Sequence, residues 1–66
     1  MTRLQDVRLG TGMSQRELAD KAQMSIRTLQ ALECGARDID KVSVLTALKL
    51  ARALDCSIED ILEWSE

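Results

Sequence analysis

The chain has 66 residues and a formal net charge of −2, with no proline, no histidine and one aromatic residue, Trp64. A chain of this length predicts one domain (1–66) that buries only about 60% of the surface its unfolded form exposes. Its hydrophobic fraction of 45% is typical of a packed core rather than of disorder. With no membrane-length apolar stretch and no signal-peptide pattern, we expect a cytoplasmic protein without a membrane partner.

The first predicted element is a short helix near the amino terminus. Abundant leucine and alanine favour helix throughout, and local helical contacts suit a small core. Thr2 and Gln5 have the spacing of a capping box, and Leu4 and Val7 would turn inward. The glycine-bearing segment 10–12 is expected to end this helix.

Two more amphipathic helices are predicted between Met13 and Gly35. The second helix begins at Ser14, three residues before Glu17, in the S-x-x-E spacing of a capping box. The third begins at Ser25 and has apolar residues on one side at Ile26, Leu29 and Leu32. This layout predicts a helix-turn-helix, in which the third helix is presented outward to bind a surface, most often the major groove of DNA.

Two further helices are predicted after a polar loop at 36–42. Ser43 caps a long fourth helix. Its expected buried face consists of Val44, Ala47, Leu48, Ala51 and Leu54, and Leu45 and Leu50 flank that face. After a break at 55–56, Ser57 and Asp60 predict a fifth helix that buries Ile58, Ile61 and Leu62. The expected fold is all-α, a compact orthogonal bundle of five short helices.

Four segments in the right order and spacing resemble a known family. They are Arg8 before the glycine-bearing loop, SQRELA at 14–19, ALECG at 31–35 and SVLTALKLARALDCSIEDIL at 43–62. From about Leu4 to Leu62 the chain resembles the phage-repressor type of helix-turn-helix domain, also called XRE, Cro/CI-like or lambda-repressor-like. It departs from that pattern at Gln23, where relatives often carry glycine, so a positive φ is expected there. Val42 stands where a proline is often found.

The side of the third helix opposite its apolar residues carries candidate base-reading groups. At about 100° per residue, Arg27, Gln30, Ala31 and Cys34 cluster there. Arginine suits bidentate contact with guanine and glutamine suits adenine. A solvated helix face explains the same pattern, so both interpretations stay open on spacing alone. The family resemblance implies base reading, because relatives read bases from this face of the third helix.

Further candidate DNA contacts lie along the same helix, two of them implied by the resemblance and two by their position near the helix start. Ile26 and Ala31 occupy positions that often hold base-reading side chains in relatives. Here they offer only apolar contact, for instance with a thymine methyl group, and packing or helix propensity explains them equally well. Ser25 and Thr28 are short hydroxyl residues near the helix start, within reach of phosphate or base, although Ser25 is also a helix cap.

Four more residues are assigned roles, Gln15, Arg8 and Glu33 through the resemblance and Arg37 from its position directly after the third helix. Gln15 matches a glutamine that bonds a backbone phosphate in relatives, and Arg37 would be a second phosphate contact; a solvent-exposed side chain is the alternative for each. Arg8 and Glu33 match an arginine and a glutamate that form a semi-buried ion pair between the first and third helices. That pair is structural, and removing one member of such a pair typically costs about 3–5 kcal/mol.

The sequence carries no pattern typical of an enzyme or of a metal site. Cys34 and Cys56 lack C-x-x-C spacing and there is no histidine, so neither a metal nor another cofactor is expected. Reduced thiols are the favoured state of both cysteines, and a disulfide remains the alternative. No nucleophile stands beside a base and no glycine-rich phosphate loop is present, which predicts that the protein is not an enzyme.

Charge is divided between the two halves of the chain. Residues 1–37 carry six basic and four acidic residues, whereas residues 38–66 carry three basic and seven acidic residues. A locally positive half suits contact with phosphates, and the acidic half should face away from DNA. We therefore expect sequence-specific binding of double-stranded DNA by a transcriptional regulator, with repression favoured over activation.

Two questions stay open at the level of sequence. The alternative function is a protein-interaction module, antitoxin-like or partner-binding, that uses the same fold without DNA; the net negative charge favours it slightly. We also expect a homodimer, because one such domain makes too few base contacts for high specificity. Trp64 either contributes to that dimer contact or only covers the core of its own chain.

Overall fold

The computed structural model describes residues 2–63, which form four α-helices, two 3-10 turns and no strand. The α-helices are α1 (Arg3–Thr11), α2 (Gln15–Lys21), α3 (Ile26–Cys34) and α4 (Val44–Ala53), and the 3-10 turns are Ile39–Lys41 and Ile58–Asp60. The all-α class and the helix-turn-helix at α2 and α3 are confirmed. Trp64 lies outside the described residues, so its role stays a prediction.

Each α-helix begins at a hydroxyl side chain. That side chain accepts a hydrogen bond from the backbone N–H three residues later, at Thr2, Ser14, Ser25 and Ser43. In α2 the capping box is complete, because the Glu17 carboxylate accepts from the Ser14 N–H at 3.2 Å. A side-chain cap of this kind typically contributes about 1 kcal/mol, so the sequence specifies the helix starts locally.

The turn between α2 and α3 has the strained geometry that the sequence predicts. Gln23 has a φ of 56°, in the left-handed region that favours glycine. The chain closes the end of α2 with two backbone hydrogen bonds, from Gln23 N–H to Asp20 O at 3.2 Å and from Met24 N–H to Ala19 O at 3.0 Å. This is the Schellman pattern, and it turns the chain sharply enough for α3 to pack across α2.

The core draws on all four α-helices, the first 3-10 turn and Ile61, which directly follows the second turn. Its members are each less than 5% exposed: Leu4, Leu18, Ala19, Ala22, Leu29, Leu32, Ile39, Leu50, Ala51, Leu54 and Ile61. Burying one leucine or isoleucine fully contributes about 1.5–3 kcal/mol, so these contacts dominate the stability of a domain this small. Because α3 is anchored through Leu29 and Leu32, its opposite side stays exposed.

The buried face of α4 differs from the predicted one at two of its five positions, since Ala47, Ala51 and Leu54 are buried as predicted. Ala47, Leu50, Ala51 and Leu54 are buried as one stripe, whereas the predicted core residues Val44 and Leu48 and the flanking Leu45 are 76%, 36% and 62% exposed. The helix carries two apolar stripes of similar periodicity, and periodicity cannot choose between them. Packing of α4 against α2 and the second 3-10 turn makes the choice, so an apolar surface is left facing solvent.

The predicted fifth helix is only a single 3-10 turn within the described residues. Ile61 is fully buried as predicted, and Ile58 and Leu62 are half-buried. The chain leaves the helical path after this turn, and the Glu63 N–H donates to the Asp40 carboxylate at 3.0 Å. The five-helix count is therefore wrong for residues 2–63, although the apolar anchors of that segment were placed correctly.

The loop predicted to be polar over 36–42 also contributes to the core. Ile39 is 3% exposed and begins the first 3-10 turn, while Val42 packs against the core from the side. The Asp38 carboxylate caps that turn by accepting from the Asp40 N–H at 3.0 Å. This segment therefore fixes the distance between the end of α3 and the start of α4.

Candidate nucleic-acid interface

The outer side of α3 presents the predicted base-reading residues to solvent. Arg27 and Gln30 are both exposed, and Leu29 and Leu32 hold the opposite side of the helix in the core. Arg27 forms no ion pair with any carboxylate in the described part of the chain. The guanidinium is therefore available to hydrogen-bond an external ligand, and the Gln30 amide keeps its oxygen and one hydrogen free beside the bond it donates to Gln15, as contact with guanine and adenine requires.

Ile26 and Ala31 differ in how accessible they are to a ligand. Ile26 is half-buried and packs against the core, so at least part of its side chain has a structural role. Ala31 is half-buried and lines a shallow groove together with Gln15, Gln30 and Cys34. Their predicted contact with thymine methyl groups stays a prediction for both residues.

The hydroxyls of Ser25 and Thr28 are already engaged at the start of α3. Ser25 Oγ accepts from the Thr28 N–H at 3.1 Å, and the two hydroxyl oxygens lie 2.9 Å apart in a further hydrogen bond. Ser25 is exposed and Thr28 is half-buried. The helix cap accounts for Ser25, while each hydroxyl retains capacity for one more partner, such as a phosphate oxygen.

The predicted ion pair between the first and third helices is present and is buried. Arg8 Nε donates to Glu33 Oε2 at 2.7 Å, and the two side chains are 9% and 2% exposed. Arg8 also donates from its NH1 group to the Met13 carbonyl at 2.9 Å. These bonds join α1 to α3 and to the loop before α2, so the pair fixes the position of the recognition helix relative to the rest of the domain.

Gln15 connects the buried ion pair to the surface of α3. Its Nε2 donates to Glu33 Oε1 at 3.2 Å, and its Oε1 accepts from Gln30 Nε2 at 3.3 Å. All three residues are among the predicted site residues, but the hydrogen bonds that connect them are not evident from the sequence. No local signal reveals these bonds, because the residues lie 15 to 18 positions apart along the chain.

Exposed arginines supply positive charge around this surface. Arg16 lines a groove beside Ser25 and Ile26, and Arg37 follows α3 directly. The Arg37 backbone N–H donates to the Ala31 carbonyl at 3.1 Å, which ties the residue to the end of α3. Its groove also contains Asp38 and Glu63, so the positive potential there is partly offset. Asp20 likewise lines the groove of Arg16, so Arg27, which forms no ion pair within residues 2–63, is the strongest electrostatic contributor of the three.

Both cysteines are free thiols, and they differ in environment. Cys34 is exposed at the end of α3 and Cys56 is half-buried. Burial raises the pKa of the Cys56 thiol, and the nearby carboxylates of Asp60 and Asp55 raise it further. Residues 2–63 contain no cluster of potential metal ligands and no helix that is long and apolar enough to cross a membrane.

Comparisons with known proteins agree with this geometry. The family model described as "Helix-turn-helix" matches residues 4–61, and the chain therefore belongs to that family. A structural match is the crystal structure of the restriction-modification controller protein C.AhdI from Aeromonas hydrophila. The two chains share 34% sequence identity with a TM-score of 0.79, over 88% of this chain and 83% of that one. No curated protein sequence matches significantly.

Membership in this family and the exposed side of α3 define the class of the protein. It is a DNA-binding transcriptional regulator of the XRE-type helix-turn-helix family, as the four sequence segments predict. The scaffold of α1, α2 and α4 holds α3 through the core and the Arg8–Glu33 pair, with Arg27 and Gln30 directed outward. That arrangement leaves one helix face free to enter a DNA groove.

Proposed function

We propose that the protein binds a specific duplex DNA sequence by inserting α3 into the major groove and that it represses transcription from that site. The observation that carries this proposal is the exposed pair Arg27 and Gln30 on the outer face of a recognition helix whose inner face is fully buried. Arg27 is assigned to guanine and Gln30 to adenine, since these side chains offer bidentate contacts with those bases. Ser25, Ile26, Thr28 and Ala31 border the same face.

Phosphate contacts would position the helix in the groove. Gln15 retains one amide hydrogen that no protein group accepts in the described residues, and Arg37 is exposed at the other end of α3. Contacts from charged side chains such as Arg37 give affinity with marked salt dependence, because each phosphate they neutralise releases counterions from the DNA, whereas the neutral Gln15 amide adds a positioning hydrogen bond without that release. The alternative, binding of a protein partner through apolar contacts, lacks this dependence on salt.

Two copies would bind a pseudo-palindromic site. One domain offers few base contacts, and a two-fold pair spaces its recognition helices by about 34 Å, one turn of B-DNA. The stripe of Val44, Leu45 and Leu48 on α4 is apolar and exposed, with no covering segment in residues 2–63. A second copy of this chain is the occupant we assign, because an isologous contact pairs one apolar stripe with itself.

Selection of bound sequences from random duplex DNA, followed by gel shift at several salt concentrations, tests the function. We expect an enriched pseudo-palindromic site whose binding weakens steeply as salt increases. Arg27→Ala is expected to weaken specific binding by about 1–3 kcal/mol and to relax the sequence preference at one base position. Full affinity with unchanged preference in that variant would remove Arg27 from the set of base-reading residues.

The sign of regulation needs a separate assay. A reporter promoter that overlaps the selected site should lose expression when the protein is produced, because bound protein blocks access of the polymerase. The matched control is the same promoter with the selected site scrambled. Increased expression from the intact promoter would show activation and contradict repression, while leaving the proposed DNA binding intact.

A further inference from the structure

We propose that Glu33 is a positioning residue for base recognition: acting through Gln15, it fixes the orientation of the Gln30 amide and so makes Gln30 selective for adenine over guanine. The inference rests on the proposed function, because it specifies how one of the assigned contacts acquires its selectivity. It gives the Arg8–Glu33 pair a second role beside the stabilisation of the fold.

The chain of hydrogen bonds has only one chemically consistent direction. Glu33 accepts from Arg8 Nε on Oε2 at 2.7 Å and from Gln15 Nε2 on Oε1 at 3.2 Å. A carboxylate has acceptors and no donor, so the NH₂ end of Gln15 must face it. The Gln15 oxygen then points the other way, towards Gln30, and the Gln30 NH₂ group donates to it at 3.3 Å.

The surroundings of Gln15 hold it in this orientation. Glu33 is 2% exposed and anchored by Arg8, and Gln15 is itself half-buried at the first position of α2. No buried side-chain nitrogen or oxygen in the described residues lacks a partner, so reversal of the Gln15 amide would break a satisfied network. Reversal would place its oxygen against the Glu33 carboxylate, an arrangement of two acceptors with no hydrogen between them.

The fixed orientation decides what Gln30 offers to DNA. One hydrogen of its NH₂ group is used by Gln15, while the amide oxygen and the second hydrogen remain available on the exposed side of α3. Adenine presents an N6–H donor beside the N7 acceptor, which matches that oxygen and hydrogen. Guanine presents two acceptors, O6 and N7, so its O6 would oppose the amide oxygen. A Gln30 amide that rotates freely turns its NH₂ group towards O6 and tolerates guanine.

The variant Gln15→Lys separates orientation from affinity. Its ammonium group donates to Glu33 and to a phosphate but has no acceptor for Gln30. It leaves Arg8 and Glu33 unchanged, so the buried pair stays intact. Gln5→Lys is the matched control, because Gln5 lines the same groove and gains the same charge without belonging to the hydrogen-bond chain.

The first readout uses the free protein. Side-chain amide resonances of Gln30 in ¹H–¹⁵N NMR spectra should move towards the positions of an unrestrained glutamine in Gln15→Lys and stay unchanged in Gln5→Lys. Unchanged Gln30 amide resonances in Gln15→Lys would overturn the inference, whether or not the protein binds DNA.

The second readout is the ratio of affinities for the selected site and for the same site with guanine in place of the adenine assigned to Gln30. A good bidentate contact corresponds to roughly 5- to 150-fold discrimination in the parent. We expect Gln15→Lys to lose most of this ratio while retaining affinity for the guanine site, and Gln5→Lys to keep the ratio. Glu33→Gln should lose it as well where that variant folds, because an amide at position 33 also donates and no longer forces the Gln15 orientation.

The possible failures are distinguishable. A parent protein that enriches no sequence refutes the proposed function, and the assignment of Gln30 fails with it. A parent that enriches a site and keeps its adenine preference in Gln15→Lys refutes the positioning role alone. If Glu33→Gln does not fold, Gln15→Lys still decides the question, since it leaves the ion pair untouched.

Discussion

Removing Arg8 should damage the scaffold as strongly as the loss of a large core side chain. Arg8→Ala leaves the Glu33 carboxylate, 2% exposed, with the Gln15 amide as its only side-chain partner among residues 2–63, and it removes the donor to the Met13 carbonyl. An uncompensated buried charge costs about 3–5 kcal/mol. Since a chain of this size has a total stability of roughly 3–10 kcal/mol, the variant should lose about a third of that stability or more, and a parent near the lower end of the range would be unfolded near room temperature.

The converse change should be milder. Glu33→Ala leaves a guanidinium that is 9% exposed and still donates to the Met13 carbonyl. We therefore expect the free energy of unfolding to fall by about 3 kcal/mol, the lower end of the range for a broken buried pair. In a domain this small that corresponds to a melting temperature lower by at least about 12 °C. The asymmetry between the two variants is the specific consequence of this geometry.

Urea denaturation followed by far-ultraviolet circular dichroism measures both losses. Arg16→Ala is the control, because Arg16 is exposed and forms no ion pair with the described residues, and it should change stability by less than about 0.5 kcal/mol. The double variant Arg8→Met with Glu33→Leu should regain most of the stability, since it removes both charges. A loss under about 1 kcal/mol in Arg8→Ala, or a larger loss in Glu33→Ala, would refute the reasoning.

Three further predictions concern other parts of the molecule. Leu45→Ser should shift sedimentation equilibrium towards monomer with little effect on the fold, whereas Leu9→Ser, at a similarly exposed leucine on α1, should not; equal behaviour of the two would contradict the dimer contact on α4. Gln23→Gly should stabilise the fold by about 0.5–1 kcal/mol in urea denaturation, because glycine adopts the positive φ without the strain of a side chain; a destabilised variant would show that strain there is negligible. Cys34 should be alkylated faster than Cys56 at mildly alkaline pH, because the raised pKa of Cys56 lowers its thiolate fraction. The difference between the two alkylation rates should narrow as the pH rises through the pKa of Cys56. Peptide mapping of the labelled protein checks which cysteine reacts first.

The amino-acid sequence by itself determined the helix starts, the sharp turns and the outward face of α3. The cap side chains of Ser14, Ser25 and Ser43 each accept a hydrogen bond from a backbone N–H only three residues away. The left-handed φ of Gly35 depends only on the identity of that one residue. Such interactions depend on near neighbours alone and are therefore readable from spacing. Together with the family resemblance they placed Arg27 and Gln30 on the exposed side of a recognition helix.

Only the tertiary structure decided which apolar stripe of α4 is buried, how the chain continues after Ile61 and how Gln15 links Glu33 to Gln30. Val44 and Leu50 lie on stripes of comparable periodicity, and only packing against α2 and the second 3-10 turn assigns one to the core and the other to solvent. The Gln15 hydrogen bonds span 15 to 18 residues. Contacts between residues far apart in the chain form only when helices are brought together, and no local pattern records which partners will meet.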